Sequence, residues 1–309
     1  MMNKETTDSS NETHGSGCCC TPRPTLYNVA NLVGFIANVV ITFGFGLWGW
    51  ADRPTNGDLS AKYQTIVTPS GTAFSIWSLI FIAQAMWVVM QWVVPSQRQA
   101  SGIQAVGLMY FFACLAQCGW TLAFTWEIIW LSLVFMYAIL GFLGWSVYKL
   151  ETRGEDQTKN WKSYFIHQFP LAIHCGWIMA ASVVNTNVVL VAYGASVSAQ
   201  LGMASFTLAV LLLAGFAVLL KSNELTIPCV LAWALGWVYN ELANKPLPSI
   251  TERFTATQIQ GIQYTAIAGT GVLLVLVLAR GVMTCLSRDN TGEQESSSTP
   301  QGDEEAPEQ

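Results

Sequence analysis

From Tyr27 to Cys285 the chain alternates long apolar runs with short polar breaks. Eight runs are long enough to cross a bilayer: 27–50, 72–94, 103–125, 128–148, 165–192, 200–220, 226–243 and 261–284. None carries Asp, Glu, Lys or Arg at its middle. A hydrocarbon layer about 30 Å thick takes about 20 helical residues at about 1.5 Å each, and backbone groups inside it must bond within the helix. The pattern predicts an all-α, polytopic transmembrane helix bundle of about eight spans. A buried soluble core is the alternative, and it fails because too little polar sequence is left to cover so many runs. The third and fourth runs are joined by almost nothing, with Glu127 at the turn.

The polar breaks carry an orientation signal. With the N-terminus inside, the inner segments hold Lys4, Arg23, Arg98, Lys149, Arg153, Lys159, Lys162, Lys221, Arg280 and Arg288, and the outer loops hold only Arg53, Lys62, Lys245 and Arg253. That bias predicts cytoplasmic termini. The flanks, 1–26 and 287–309, are polar and expected to be disordered; the second is rich in Ser, Glu, Gln, Asp and Pro. With no apolar stretch of its own, the first is not a cleaved signal peptide.

Composition agrees: 52% hydrophobic residues and 11% charged, against roughly 25% charged in an average soluble domain. The formal charge of −5 comes largely from the acidic C-terminal flank, and no basic or aromatic cluster points to nucleic acid. Cys18, Cys19, Cys20 and Cys285 lie beside the membrane on the predicted inner face, where S-palmitoylation occurs. Unmodified thiols, or metal capture by the triple Cys, are the alternatives. Cys114, Cys118, Cys175 and Cys229 read as small core residues.

Polar side chains inside a membrane bundle are costly to turn toward lipid, so candidate chemistry lies there. They fall on helical faces. Asn28, Asn31, Asn38 and Thr42 share one side of the first run; Phe74, Trp77, Phe81, Gln84, Val88 and Gln91 follow spacings of three and four in the second. Gln117, Trp120 and Phe124 do so in the third, and His174, Trp177, Ala181 and Asn185 in the fifth. For any one of these the plainer reading is an interhelical contact, since amides bond across bundles and aromatics fill space. As a set they also suit a pocket, because flat aromatic walls with a few neutral donors are what a large apolar ligand needs.

Trp48, Trp50, Trp92, Trp126, Trp145 and Trp161 lie near run ends and are expected to anchor at the headgroups. Trp77, Trp87, Trp120, Trp130, Trp177, Trp233 and Trp237 are left as interior candidates. His167 and His174 are seven apart, but Pro170 is expected to start the helix between them, and a His on an apolar face is most simply hydrogen-bonded core. No metal-ligand spacing, phosphate loop or nucleophile elbow occurs. A sterol-type pattern runs from Leu143 through Tyr148 to Arg153.

These stripes resemble the tryptophan-rich sensory protein and translocator protein (TspO/MBR) family, in a long eight-span form. Pro69 precedes the segment from Phe74 to Phe81, which is similar to the family's second-span Phe-x-x-x-Trp motif; Trp120 and Phe124 match the third span, and Trp177, Ala181 and Asn185 the fifth. The resemblance covers about 27–192, the family's five-helix unit, leaving 193–286 as three added spans. The family's Pro-Tyr-Leu before the fifth-span Trp is absent, and the sterol-type pattern follows the fourth span instead of the fifth. What the resemblance implies is a bundle that binds tetrapyrroles, haem or porphyrin, or sterols, between aromatic walls, with 51–71 over the mouth.

The leading expectation is a non-enzymatic ligand-binding or sensory membrane protein with Trp77, Phe81, Gln84, Trp120, Phe124, His174, Trp177 and Asn185 as ligand residues. It has no required cofactor, no metal and no catalytic residue. Membrane lipids and a hydrophobic small molecule are the expected partners, and a homodimer is left open. A facilitative transporter of a small apolar or neutral solute is the alternative. An intramembrane enzyme ranks lowest, because acid, base, nucleophile and metal are not brought together.

Overall fold

The computed structural model describes residues 23–97, 100–152, 161–244 and 246–297, with side chains as far as 286. Cys18, Cys19 and Cys20, most of the N-terminal flank and the end of the C-terminal one lie outside the described residues. Eight long helices follow the eight runs, and no strand occurs among the described residues. In chain order they are α1 (Leu26–Ile41), α2 (Ile76–Val93), α3 (Met109–Thr125), α4 (Ile129–Thr152), α5 (Phe169–Ala192), α6 (Val197–Lys221), α7 (Thr226–Ala243) and α8 (Ala256–Ser297). The last extends past 286, into the segment where the sequence suggests a tail.

Among the described residues, six helices are long and apolar enough on their own to cross a membrane, or seven counting one bent pair. The third run is that pair: Pro95–Val106 and Met109–Thr125 meet at 67°. Gly107 sits at the break with φ +56°, a conformation glycine adopts without steric cost. Helix α7 stays below that standard, its C-terminal end carrying Asn240 and Glu241, yet it stands within the bundle against α5, α6 and α8.

Helix α1 starts on a reciprocal cap between Thr25 and Asn28 and ends in a π-helical turn, Thr42–Leu47. Two glycines make that turn compact. A Cβ on Gly44 would lie 2.3 Å from the Trp50 ring, and one on Gly46 2.6 Å from Asn56 Nδ2. An amide knot fastens α1 to α2, with Asn28 and Asn31 both donating to Gln91 Oε1 at 3.2 Å. For these residues the plain interhelical reading is the right one.

Helix α5 is the central member. It packs on α4, α7, α6 and α2, and all its residues from 170 to 178 are buried. One continuous core runs through both halves of the chain, joining Ile80, Tyr110 and Trp177 to Leu208, Leu231 and Leu273. The last three helices therefore share their interior with the first five.

Three sequence expectations fail here. Trp130 is 56% exposed and faces away from the interior, and Trp233 is 39% exposed. Cys229, expected in the core, is exposed. The sterol-type pattern is split, because Leu143 is fully buried while Tyr148 is 53% exposed; Arg153 lies outside the described residues. Leu143 and Tyr148 fall on different sides of α4.

Candidate functional site

Two stripes meet where α2 lies against α5. Trp77 stacks along Phe81 at 5.6 Å between ring centroids and stands edge-on to His174 at 5.5 Å and to Trp177 at 6.4 Å. Phe74 closes on Trp177 at 5.6 Å. Under these rings Gln84 Nε2 and His174 Nδ1 are 2.7 Å apart, and Tyr110 on α3 donates to Gln84 Oε1 at 3.2 Å. Gln84, Tyr110 and His174 are each at most 1% exposed. Five of the eight candidate residues are thus in one group, built around a neutral polar chain. Bonded through Nδ1, His174 leaves its Nε2 without a partner.

The other three stand apart. Trp120 and Phe124 stack on each other at 5.3 Å along α3, and Phe124 belongs to a second group with Leu59, Ile129 and Val188. Asn185 is buried, eight residues beyond Trp177 on α5, or about 12 Å at about 1.5 Å per residue. That places it near Val188 and the second group. Trp120 packs against this second group and also against the main core, to which Trp177 belongs.

The connection between α1 and α2 covers this region and is more than a surface loop. Its first part, with the short helix Asn56–Lys62, is tied to the turn between α3 and α4: Glu127 accepts from Lys62 and Tyr63, and the Arg53 guanidinium lies 4.8 Å over Trp126. The Lys62 ammonium, and then the Tyr63 hydroxyl, hold the Glu127 carboxyl below its ordinary range, while the bond to Glu127 raises Lys62. The second part, 64–70, is wholly buried without being helical. Non-helical backbone at such depth needs every polar group bonded inside the protein. Thr65 and Thr68 supply bonds within the segment: Thr65 N donates to Thr68 Oγ1 at 2.9 Å, and Thr68 N to Thr65 O at 3.1 Å. Helix α7 adds bonds to this segment and to Ala73 just after it. Ser70 N donates to Trp237 O at 3.1 Å, Trp233 Nε1 donates to Ala73 O at 3.2 Å, and Gln64 Nε2 donates to Glu241 Oε1 at 2.7 Å.

A buried carboxylate also escapes sequence reading. Glu224, in the turn between α6 and α7, is 1% exposed. It accepts from Tyr164 Oη at 2.7 Å, Gln168 Nε2 at 2.8 Å and the Thr226 N–H at 2.7 Å. The last bond explains its place, since the first N–H groups of α7 have no acceptor within the helix.

Fold and interior together define a multi-pass, all-helical membrane protein whose core is lined by aromatic and amide side chains. The family model described as TSPO-like protein matches residues 28–279, and the chain belongs to that family. The match passes through all eight helices and does not stop at 192. No curated protein and no solved structure gives a match.

Proposed function

We propose that this protein is a non-enzymatic membrane receptor or carrier for a large, flat, apolar ligand of the tetrapyrrole or sterol class. The observation that supports this most is the group of Trp77, Phe81 and Trp177 around the uncharged Gln84–His174 pair. Aromatic rings give a flat guest large contact area with defined geometry, and a few neutral polar groups fix its orientation. The rings already pack on one another, so a guest exchanges ring–ring contacts for ring–ligand ones. Its affinity is the difference between the two sets.

Purified protein titrated with haem or protoporphyrin IX should show saturable quenching of tryptophan fluorescence and a shifted Soret band. Trp77→Ala and Trp177→Ala should each weaken binding about tenfold or more, as loss of a buried aromatic anchor does. Affinity unchanged in both variants would take the ligand away from this group. Saturable uptake of a small neutral solute into proteoliposomes, without binding of either tetrapyrrole, would favour the transporter instead.

A further inference from the structure

Most interior amides are paired: Asn28 and Asn31 with Gln91, Gln84 with His174, and Asn187 with Thr207. The turn 117–121 of α3 is different. Gln117 Nε2, Gln117 Oε1, Trp120 Nε1 and Thr121 Oγ1 are all buried and all without a partner. Gln117 and Thr121 have no exposure at all. A carboxamide with both ends unpaired away from water is unfavourable and calls for a reason.

The position of this turn supplies one. It lies on the face of α3 that also carries Tyr110, the residue bonded to Gln84. The π-helical turn Thr42–Leu47 packs against the same helix and brings Phe43 to 5.5 Å from Phe81, beside Trp77. Trp120, within the turn, packs against both the main core, which includes Trp177, and the second group around Phe124. Wide helical turns of this kind are frequent at functional sites. The unpaired atoms therefore share a helix face with Tyr110, one member of the polar chain already described.

We infer that the turn from Gln117 to Thr121 is the docking point for a carboxylic acid or amide group on the ligand. The inference rests on the receptor reading above and narrows it. A glutamine carboxamide presents an N–H and a C=O side by side, and a neutral carboxylic acid or an amide complements both at once. The Trp120 N–H supplies a second donor for the same carbonyl oxygen, and the Thr121 hydroxyl can pair either way. A lone sterol hydroxyl engages one Gln117 atom and leaves the others as they were. An ionised carboxylate finds no cation among these side chains, so an acid enters protonated.

The test compares protoporphyrin IX, its diamide and its dimethyl ester by tryptophan quenching on the full chain, in the parent protein and in Gln117→Leu and Trp120→Phe. The diamide should bind about tenfold more tightly than the ester, the usual penalty for leaving built hydrogen-bond groups unmet. Its affinity should not vary with pH, whereas that of the free acid should rise as the pH is lowered from 8 to 5. Gln117→Leu should abolish the preference for the diamide while keeping ester affinity, which also reports that the variant is folded. If that variant does not fold, Trp120→Phe, which replaces the indole and its N–H by a smaller aromatic ring, should cut the preference by at least about threefold. Equal binding of diamide and ester, or a preference that survives in the variants, overturns this inference and leaves the receptor reading standing. Binding of none of the three overturns both.

Discussion

Substituting leucine for Gln84 removes the one side chain that serves both Tyr110 and His174. The change leaves Tyr110 Oη and His174 Nδ1 without their partner, in an interior where both residues are at most 1% exposed. A buried polar group left unpaired costs about 1–3 kcal/mol. Hydrogen bonds in membrane bundles are worth less on average, about 0.6 and up to about 1.7 kcal/mol, because the unfolded chain also finds partners there. Two orphaned groups at the membrane scale give a loss of about 1–3 kcal/mol for Gln84→Leu. Tyr110→Phe orphans only Gln84 Oε1 and should cost about half as much. In a His174→Leu, Tyr110→Phe background the same Gln84→Leu change should be close to neutral, since no polar partner is left behind. Reversible unfolding of purified protein in mixed micelles, titrated with SDS, measures all of these. A Gln84→Leu loss that is equal in both backgrounds would show that the three residues are not energetically coupled, and the reasoning fails.

Three more outcomes follow from other contacts. Glu127 has a folded pKa below its unfolded value of about 4.3, so its contribution is present above that value and fades as pH falls through the folded one. Trp126 fluorescence should change on acidification below about pH 4, and Glu127→Gln should remove that change. Gly176→Leu should separate α5 from α7, because even a Cβ there would sit 3.0 Å from Val230 Cβ and 3.2 Å from Ile227 Cα; overpacking of this kind costs about 1–3 kcal/mol, read as a lower unfolding midpoint. Cys285, exposed on α8, should carry a hydroxylamine-labile acyl chain that Cys285→Ser lowers, and an unchanged acyl count in that variant would assign the modification elsewhere.

Much of the fold is legible in the chain because run length alone decides that a helix spans. The stripes are legible too: Trp77, Phe81 and Gln84, spaced by four and three, share a face of α2, and His174 and Trp177 share one of α5. Spacing does not say which helices abut, so it could not separate Trp120, Phe124 and Asn185 from the others. Trp130 failed for a related reason, since α4 is apolar all round and such a helix declares no inward face. Glu224 reads as a loop charge because its donors, Tyr164 and Gln168, lie about 60 residues away. Residues 64–70 give no sign of burial. They are short, partly polar and aperiodic, and one of their essential acceptors is a backbone carbonyl, which no side-chain pattern can announce.

That inserted segment bears on how the chain can be divided. It bonds to Trp237 and Glu241, and Trp233 holds Ala73 just after it; all three come more than 150 residues later. A truncation ending at 192 would strip those partners away and turn Ile66 and Val67 toward acyl chains. The first five helices accordingly share the support of this strap with α7, and whatever displaces the strap between α1 and α2 must also disturb α7.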